Sequence, residues 1–215
     1  MRLFIFLFSF LPLVGFSQGF GGGLYGGIST TQVTGDGIIG FHKVGGWGGA
    51  FTDYRFTPRS ALQFELSFIQ KGSRRTPTVN NNNDFRLYNL NMIEIPILYR
   101  WYGIKNMSIE VGTQVGVLLS TLDRVENISD NFETHNNPAY SKVEWSVAAG
   151  LSYYFWKNKI EVNARYTNSI LSIRKGDWIN HVFAFSVRYW FKTTLDRDKI
   201  DATKKKQQID VKLDL

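Results

Sequence analysis

From about residue 20 onward, apolar and polar residues alternate in steps of two rather than at the 3.6-residue spacing of a helix, which is the signature of strands with two different faces. Leu62, Phe64, Leu66 and Phe68 point one way, and Gln63, Glu65, Ser67 and Lys71 the other. Ile109, Val111, Val115 and Val117 oppose Ser108, Glu110, Gly112 and Gln114. Ile160, Val162, Ala164 and Tyr166 oppose Glu161, Asn163, Arg165 and Thr167. The pattern predicts eight strands: Gly22–Val33, Gly45–Phe56, Ala61–Ser73, Leu87–Tyr102, Met107–Thr121, Lys142–Trp156, Ile160–Ile173 and His181–Thr193. Each exceeds the roughly 9–11 residues that a tilted strand needs to cross a bilayer.

The connections alternate in length. Thr57–Ser60, Gly103–Asn106 and Lys157–Lys159 are short and rich in turn formers. Thr34–Val44, Arg74–Arg86, Leu122–Ser141 and Arg174–Asn180 are longer and polar. Short turns at one end and long loops at the other are the pattern of an outer-membrane barrel, and an even strand count puts both ends of the barrel on the short-turn, periplasmic side. The fold predicted is therefore all-β: an eight-stranded antiparallel transmembrane β-barrel of OmpA/OmpX-like size.

Alternation alone leaves open which face is inside, because a soluble lipocalin-like barrel keeps its apolar residues in. Three features favour the membrane arrangement. Every strand has an apolar face, as lipid contact around a barrel requires. That face is assigned aromatic residues near the strand ends, Trp47, Tyr99, Trp101, Trp145, Tyr153, Phe155, Tyr189 and Phe191, of the kind that form interfacial girdles. The polar face carries balanced charge: Asp53, Glu65, Glu94, Glu110 and Glu161 against Arg55, Lys71, Arg100, Arg165 and Arg188. These ten residues are the expected lumenal ion-pair network, structural rather than catalytic, because charges shut in a narrow lumen are costly unless paired. Eight strands enclose a space just wide enough for side chains, so no open porin channel is expected.

The first 17 residues stand outside this pattern. Arg2 is followed by an apolar run from Leu3 through Val14 and by Gly15-Phe16-Ser17. The run is shorter than the roughly 20 residues of a membrane helix. It reads as a secretory signal, residues 1–17, ahead of a barrel domain at 18–193 and a periplasmic tail at 194–215. The sequence has no cysteine, which excludes a disulfide framework, thiolate metal ligands, a cysteine nucleophile and an N-terminal lipid anchor. The formal charge of +7 becomes +6 without Arg2 and is spread along the chain. With an export signal, this fits phosphate-rich lipid headgroups as partner and not nucleic acid. The mean hydropathy of −0.18 looks soluble, but alternating faces cancel in an average.

Gly21-Gly22-Gly23-Leu24-Tyr25-Gly26 fits a G-x-G-x-x-G pattern, yet no strand precedes it and no helix follows, so the glycines read as relief for a curved strand. His42, His135 and His181 lie in or beside the long loops with no metal-ligand spacing. No catalytic, cofactor or metal residues are assigned. In the tail, Ile209, Val211, Leu213 and Leu215 alternate with Asp210, Lys212 and Asp214 beyond a charged stretch. Ile209–Leu215 could add as an edge strand to a periplasmic or secretion-apparatus protein.

Several segments together, Gly26-Gly27-Ile28-Ser29, Gly40-Phe41-His42, Gly49-Ala50-Phe51-Thr52-Asp53-Tyr54, Leu62–Gly72 and above all Ile93-Glu94-Ile95-Pro96-Ile97-Leu98-Tyr99-Arg100, resemble the PorT-like outer-membrane β-barrel family of Bacteroidetes. The resemblance runs from Gly22 to Phe191 and implies an outer-membrane, eight-stranded barrel, with Pro96 a habitual feature of its strand. A bulge is the expected way to seat Pro96, which has no N–H for the ladder. The function expected is a non-enzymatic envelope component that binds a partner or supports secretion, with a narrow pore or an outer-membrane hydrolase using rim residues as alternatives.

Overall fold

A computed structural model describes residues 20–78, 81, 84–127, 131–174 and 177–193. The signal at 1–17 and the tail at 194–215, with its Ile209–Leu215 strand, lie outside the described residues. The main strands are β1 (Phe20–Thr34), β2 (Lys43–Thr57), β3 (Ser60–Arg75), β4 (Phe85–Ile104), β5 (Met107–Glu126), β6 (Asn131–His135), β7 (Val143–Phe155), β8 (Ile160–Ser169) and β9 (Ile179–Lys192). All pairings between them are antiparallel, and β1 pairs with both β2 and β9, which closes the sheet into an eight-stranded barrel. The ninth strand, β6, is a short addition that pairs with the tip of β5 beyond the barrel wall.

The alternation of the sequence becomes the alternation of faces. Leu66, Phe68, Ile95, Val111, Leu151, Phe185 and Val187 are among many large apolar side chains exposed on the outer wall. Asp53, Gln63, Glu65, Lys71, Arg100, Glu110, Glu161, Asn163 and Arg188 are buried. A water-soluble barrel would reverse this arrangement. With lipid as the outside solvent it is the low-energy one, because the ladder satisfies the backbone and the apolar face meets hydrocarbon.

Four expectations need correction. Trp47 does not join the outer girdle; it is 4% exposed and faces the lumen. No register shift interrupts β2 between residues 43 and 54, so strict alternation places Trp47 on the same face as Phe51 and Asp53. Pro96 needs no bulge: the β3–β4 ladder omits pairs between Phe64↔Ile97 and Ser67↔Glu94 but resumes in the same register, and the β4–β5 ladder runs through Pro96↔Gln114. A residue in an antiparallel ladder uses its N–H toward one neighbour only, so a missing donor can cost a bond without shifting the strand. The loop expected at 122–141 contains the upper part of β5 and all of β6. Finally, β8 ends at Ser169, not Ile173, because the chain turns over the barrel mouth there: the Ile173 N–H bonds the Trp178 carbonyl at 2.8 Å.

At the short-turn end the β2–β3, β4–β5 and β7–β8 connections are tight. At the other end the loops are long, and β4 and β5, at 20 residues each, extend well past the membrane requirement.

Candidate functional site

The lumen divides into two charged groups stacked along the barrel. The one nearer the short turns has three arginines and three glutamates. Glu65 on β3 accepts both terminal nitrogens of Arg165 from β8, each at 2.8 Å, the fork geometry that gives the strongest and most directional charge-assisted pairs. It also accepts Arg188 of β9 at 2.9 Å and the Tyr25 hydroxyl at 2.9 Å. Arg165 turns its Nε to Glu110 of β5 at 2.7 Å, so one guanidinium ties two carboxylates. Arg100 of β4 reaches Glu161 of β8 at 2.5 Å, and its terminal nitrogens also donate to Gln63 at 2.7 Å, Ser152 at 2.7 Å and Ser108 at 3.0 Å. The Trp190 indole donates to Glu161 at 2.8 Å. Weaker pairings, Arg188 to Glu161 at 3.8 Å and Arg100 to Glu110 at 3.6 Å, complete the network.

Nearer the long loops, Lys71 of β3 stands between Glu94 of β4 and Glu144 of β7, 2.5 Å from each. Glu144 also accepts Asn180 at 2.6 Å and Ser146 at 2.8 Å. Of the ten residues singled out in the sequence, eight thus sit in these two groups. Asp53 is fully buried on the same face toward the short-turn end. Arg55 lies at that rim, its guanidinium 4.0 Å from the Tyr102 ring centre and bonded to the Pro58 carbonyl at 3.1 Å.

Sequence reasoning missed Glu144 and the inward aromatics. Glu144 shares its face with Ser146 and Ala148, opposite Val143, Trp145 and Val147, so parity alone would have found it. Tyr25, Trp47, Phe51, Tyr102, Tyr154 and Trp190 are buried between the charges. Arg188 lies 4.6 Å from the Tyr25 ring centre and Arg165 5.1 Å from that of Trp47. Ring faces attract cations, and the rings fill volume that short polar side chains would leave open.

The long-loop end is roofed by residues distant in sequence. Asp84 pairs with Arg75 at 2.9 Å and Arg86 at 3.0 Å, while Asp36 binds Ser73. Asp123 accepts the Tyr140 hydroxyl at 3.0 Å and Asn137 at 2.8 Å, and Arg174 stacks 4.7 Å from the Trp178 ring. Burial disfavours the charged form of Asp84, but hydrogen bonds from Arg75 and Arg86 outweigh it and hold the carboxyl below its ordinary 3.8. Burial pushes the Tyr140 hydroxyl up, and the neighbouring Asp123 charge pushes it further.

The three histidines do not converge. His42 is exposed in the β1–β2 loop, His135 ends β6 beside Glu133 at 2.9 Å, and His181 meets Tyr166 at 2.9 Å. Among the described residues, no group of three or more His, Cys, Asp or Glu side chains could hold a metal ion.

Residues 16–174 match the family model of the outer membrane protein beta-barrel domain. The chain belongs to that family. Membership sets this outer-membrane barrel in the bacterial outer membrane, with lipid around its apolar wall. No curated protein matches the chain. Among solved structures it is similar to Neisserial surface protein A (NspA), with a TM-score of 0.52, 11% identity and coverage of 78% of this chain and 96% of that one. It is also similar to Ail, the attachment invasion locus protein of Yersinia pestis, solved with the heparin analogue sucrose octasulfate, at TM-score 0.49, 13% identity and coverage of 80% and 99%. The N-terminal barrel domain of Pseudomonas aeruginosa OprF aligns at TM-score 0.42, 12% identity and coverage of 79% and 99%. At such identities the likeness is one of fold alone.

Proposed function

We propose that this outer-membrane barrel is a closed, non-enzymatic component of the cell envelope that acts by binding at its long-loop end or by supporting secretion, and passes no solute through its lumen. The observation that carries the reading is the six-residue group of Glu65, Glu110, Glu161, Arg100, Arg165 and Arg188, all nearly inaccessible to solvent and bonded to one another from β3, β4, β5, β8 and β9. Every charge in it has an opposite partner, so it fills space and resists hydration rather than lining a path. The hydrolase alternative has less to stand on, since among the described residues none of the histidines meets a serine or aspartate in the arrangement nucleophilic catalysis needs. Export by residues 1–17, kinship with the PorT-like barrels of Bacteroidetes and capture of a periplasmic partner by Ile209–Leu215 belong to the same proposal.

Planar-bilayer recording of the full-length protein tests it. A sealed barrel gives no discrete conductance steps, and Arg100→Ala combined with Glu161→Ala introduces them. Regular steps from the unaltered protein would replace this reading with the narrow pore. For the tail, photocrosslinking from Val211 or Leu213 in intact cells should capture a periplasmic protein; repeated failure moves the partner to the outer loops.

A further inference from the structure

The two ends of the barrel differ in charge. At the long-loop end acids and bases alternate and pair, as Asp84 does with Arg75 and Arg86 and Arg124 with Glu126. At the short-turn end each described segment is basic: Arg55 near the end of β2, Arg59 in the β2–β3 turn, Lys105 in the β4–β5 turn, Lys157 and Lys159 in the β7–β8 turn, and Lys192 at the end of β9. Residues 55–60, 103–106, 156–159 and 192–193 contain no Asp or Glu, and among the described residues the nearest carboxylates, Asp53 and Glu161, are fully buried in the lumen. Among the described residues, no ion pair involves Arg59, Lys105, Lys157 or Lys159.

These cations form one continuous rim. The Tyr102 N–H bonds the Arg59 carbonyl at 2.8 Å, joining the first turn to the second. The Tyr154 N–H bonds the Asn106 carbonyl at 2.8 Å, joining the second to the third, and the Trp190 N–H bonds the Lys159 carbonyl at 2.9 Å, joining the third to β9. Just inside the rim the outer wall carries exposed aromatics, among them Tyr99, Trp101, Phe155 and Phe191, which mark the membrane–water interface. Trp156 goes further. It is 71% exposed on a turn in which Trp156, Lys157 and Asn158 take φ of 41°, 54° and 64°, left-handed values that cost non-glycine residues energy. Lys105, Lys157 and Lys159 lie two to four residues beyond the girdle aromatics Trp101 and Phe155, in turns outside the wall, where lipid phosphates begin.

We infer that the short-turn rim is a docking surface for the headgroups of anionic phospholipids, with Lys105, Lys157 and Lys159 meeting phosphate and Trp156 seated among the headgroups. The inference rests on the short turns facing the periplasmic leaflet. It makes this barrel select lipid at one end, whereas at the other end acids nearly balance the bases.

The full-length protein is reconstituted in phosphatidylcholine vesicles, and the fraction of motionally restricted spin-labelled phosphatidylglycerol is compared with that of spin-labelled phosphatidylcholine. Each cation near a surface strengthens anionic-lipid association several-fold, so a preference of about threefold or more is expected. Salt should abolish it, because screening shortens to about 3 Å at 1 M. The Lys105→Gln, Lys157→Gln and Lys159→Gln triple variant should lose the preference, and the Lys157→Gln, Lys159→Gln pair most of it. Arg124→Gln with Lys142→Gln at the other end should keep it. Shifted gel mobility of the unboiled protein shows that each variant is folded. Equal association of both lipids with the unaltered protein, or a preference retained by the triple variant, would overturn the inference. Side is read separately: with no native cysteine, Lys157→Cys should react with an impermeant maleimide only after the outer membrane is opened. Labelling in intact cells would refute the periplasmic placement while leaving the lipid preference standing.

Discussion

Replacing Arg100 by alanine removes the side chain that holds the short-turn half of the lumen together. Its guanidinium is fully buried and bonds Gln63, Ser108, Ser152 and Glu161, three of them at 2.7 Å or less. Without it Glu161 keeps neutral donors, the Trp190 indole and the Ser152 hydroxyl, and an arginine 3.8 Å away, too far for a hydrogen bond. Removing one partner of a buried pair costs about 3–5 kcal/mol, because the other charge stays desolvated. That is roughly a 10²- to 10⁴-fold fall in the folding equilibrium at 1.4 kcal/mol per decade. Arg124, at the long-loop end, also pairs with carboxylates, but its side chain is 48% exposed. An exposed pair contributes only about 0–1 kcal/mol. Urea titration of the refolded barrel in vesicles, with midpoints and slopes compared, gives both numbers. The Arg100→Ala, Glu161→Ala double variant should be more stable than the sum of the single losses by about 1–3 kcal/mol, since it leaves no orphaned carboxylate. If Arg100→Ala and Arg124→Ala cost the same, or the double variant is additive, the lumenal network does not hold the barrel in the way described.

Lys71→Met leaves Glu94 and Glu144 facing each other in a buried site and should cost about 3–5 kcal/mol, whereas Glu144→Gln leaves Lys71 paired with Glu94 and should cost far less; urea midpoints rank the two. The lowered Asp84 carboxyl contributes stability that is fully present above its ordinary 3.8 and is lost as pH falls through the lower folded value. The Arg86 side-chain NMR signal should therefore titrate with a midpoint below 3.8, and Asp84→Asn should abolish that titration. A midpoint above 3.8 would mean that Arg75 and Arg86 do not hold the carboxylate.

The strands and the inward charges were legible because a barrel wall obeys a period of two over ten or more residues, and acids and bases sit on one parity. Misplacing Trp47 came from weighing its residue type, typical of girdles, above its parity with Asp53. The other inward aromatics share that lesson: alternation says which side a ring is on, and its chemistry does not. Pro96 errs in the opposite direction: its missing donor suggests a bulge, yet one missing donor does not move a strand held on both sides. The roof over the long-loop end was beyond reach, because Tyr140, Arg174 and Asp123 meet only after the barrel has closed and no local pattern announces contacts between loops. The basic rim was visible in the composition of the turns, but its continuity depends on backbone bonds between turns that are far apart in the chain.

The stability of the barrel in a membrane depends on which face of the wall meets lipid, and tryptophan quenching reads that directly. Two single-tryptophan proteins are needed, one keeping Trp145, 48% exposed on the outer wall, and one keeping Trp47 in the lumen. In vesicles of lipids brominated along the acyl chains, the Trp145 protein should be strongly quenched and the Trp47 protein should fluoresce as it does in unbrominated lipid. Quenching of Trp47 with Trp145 spared, or equal quenching of both, would contradict the account.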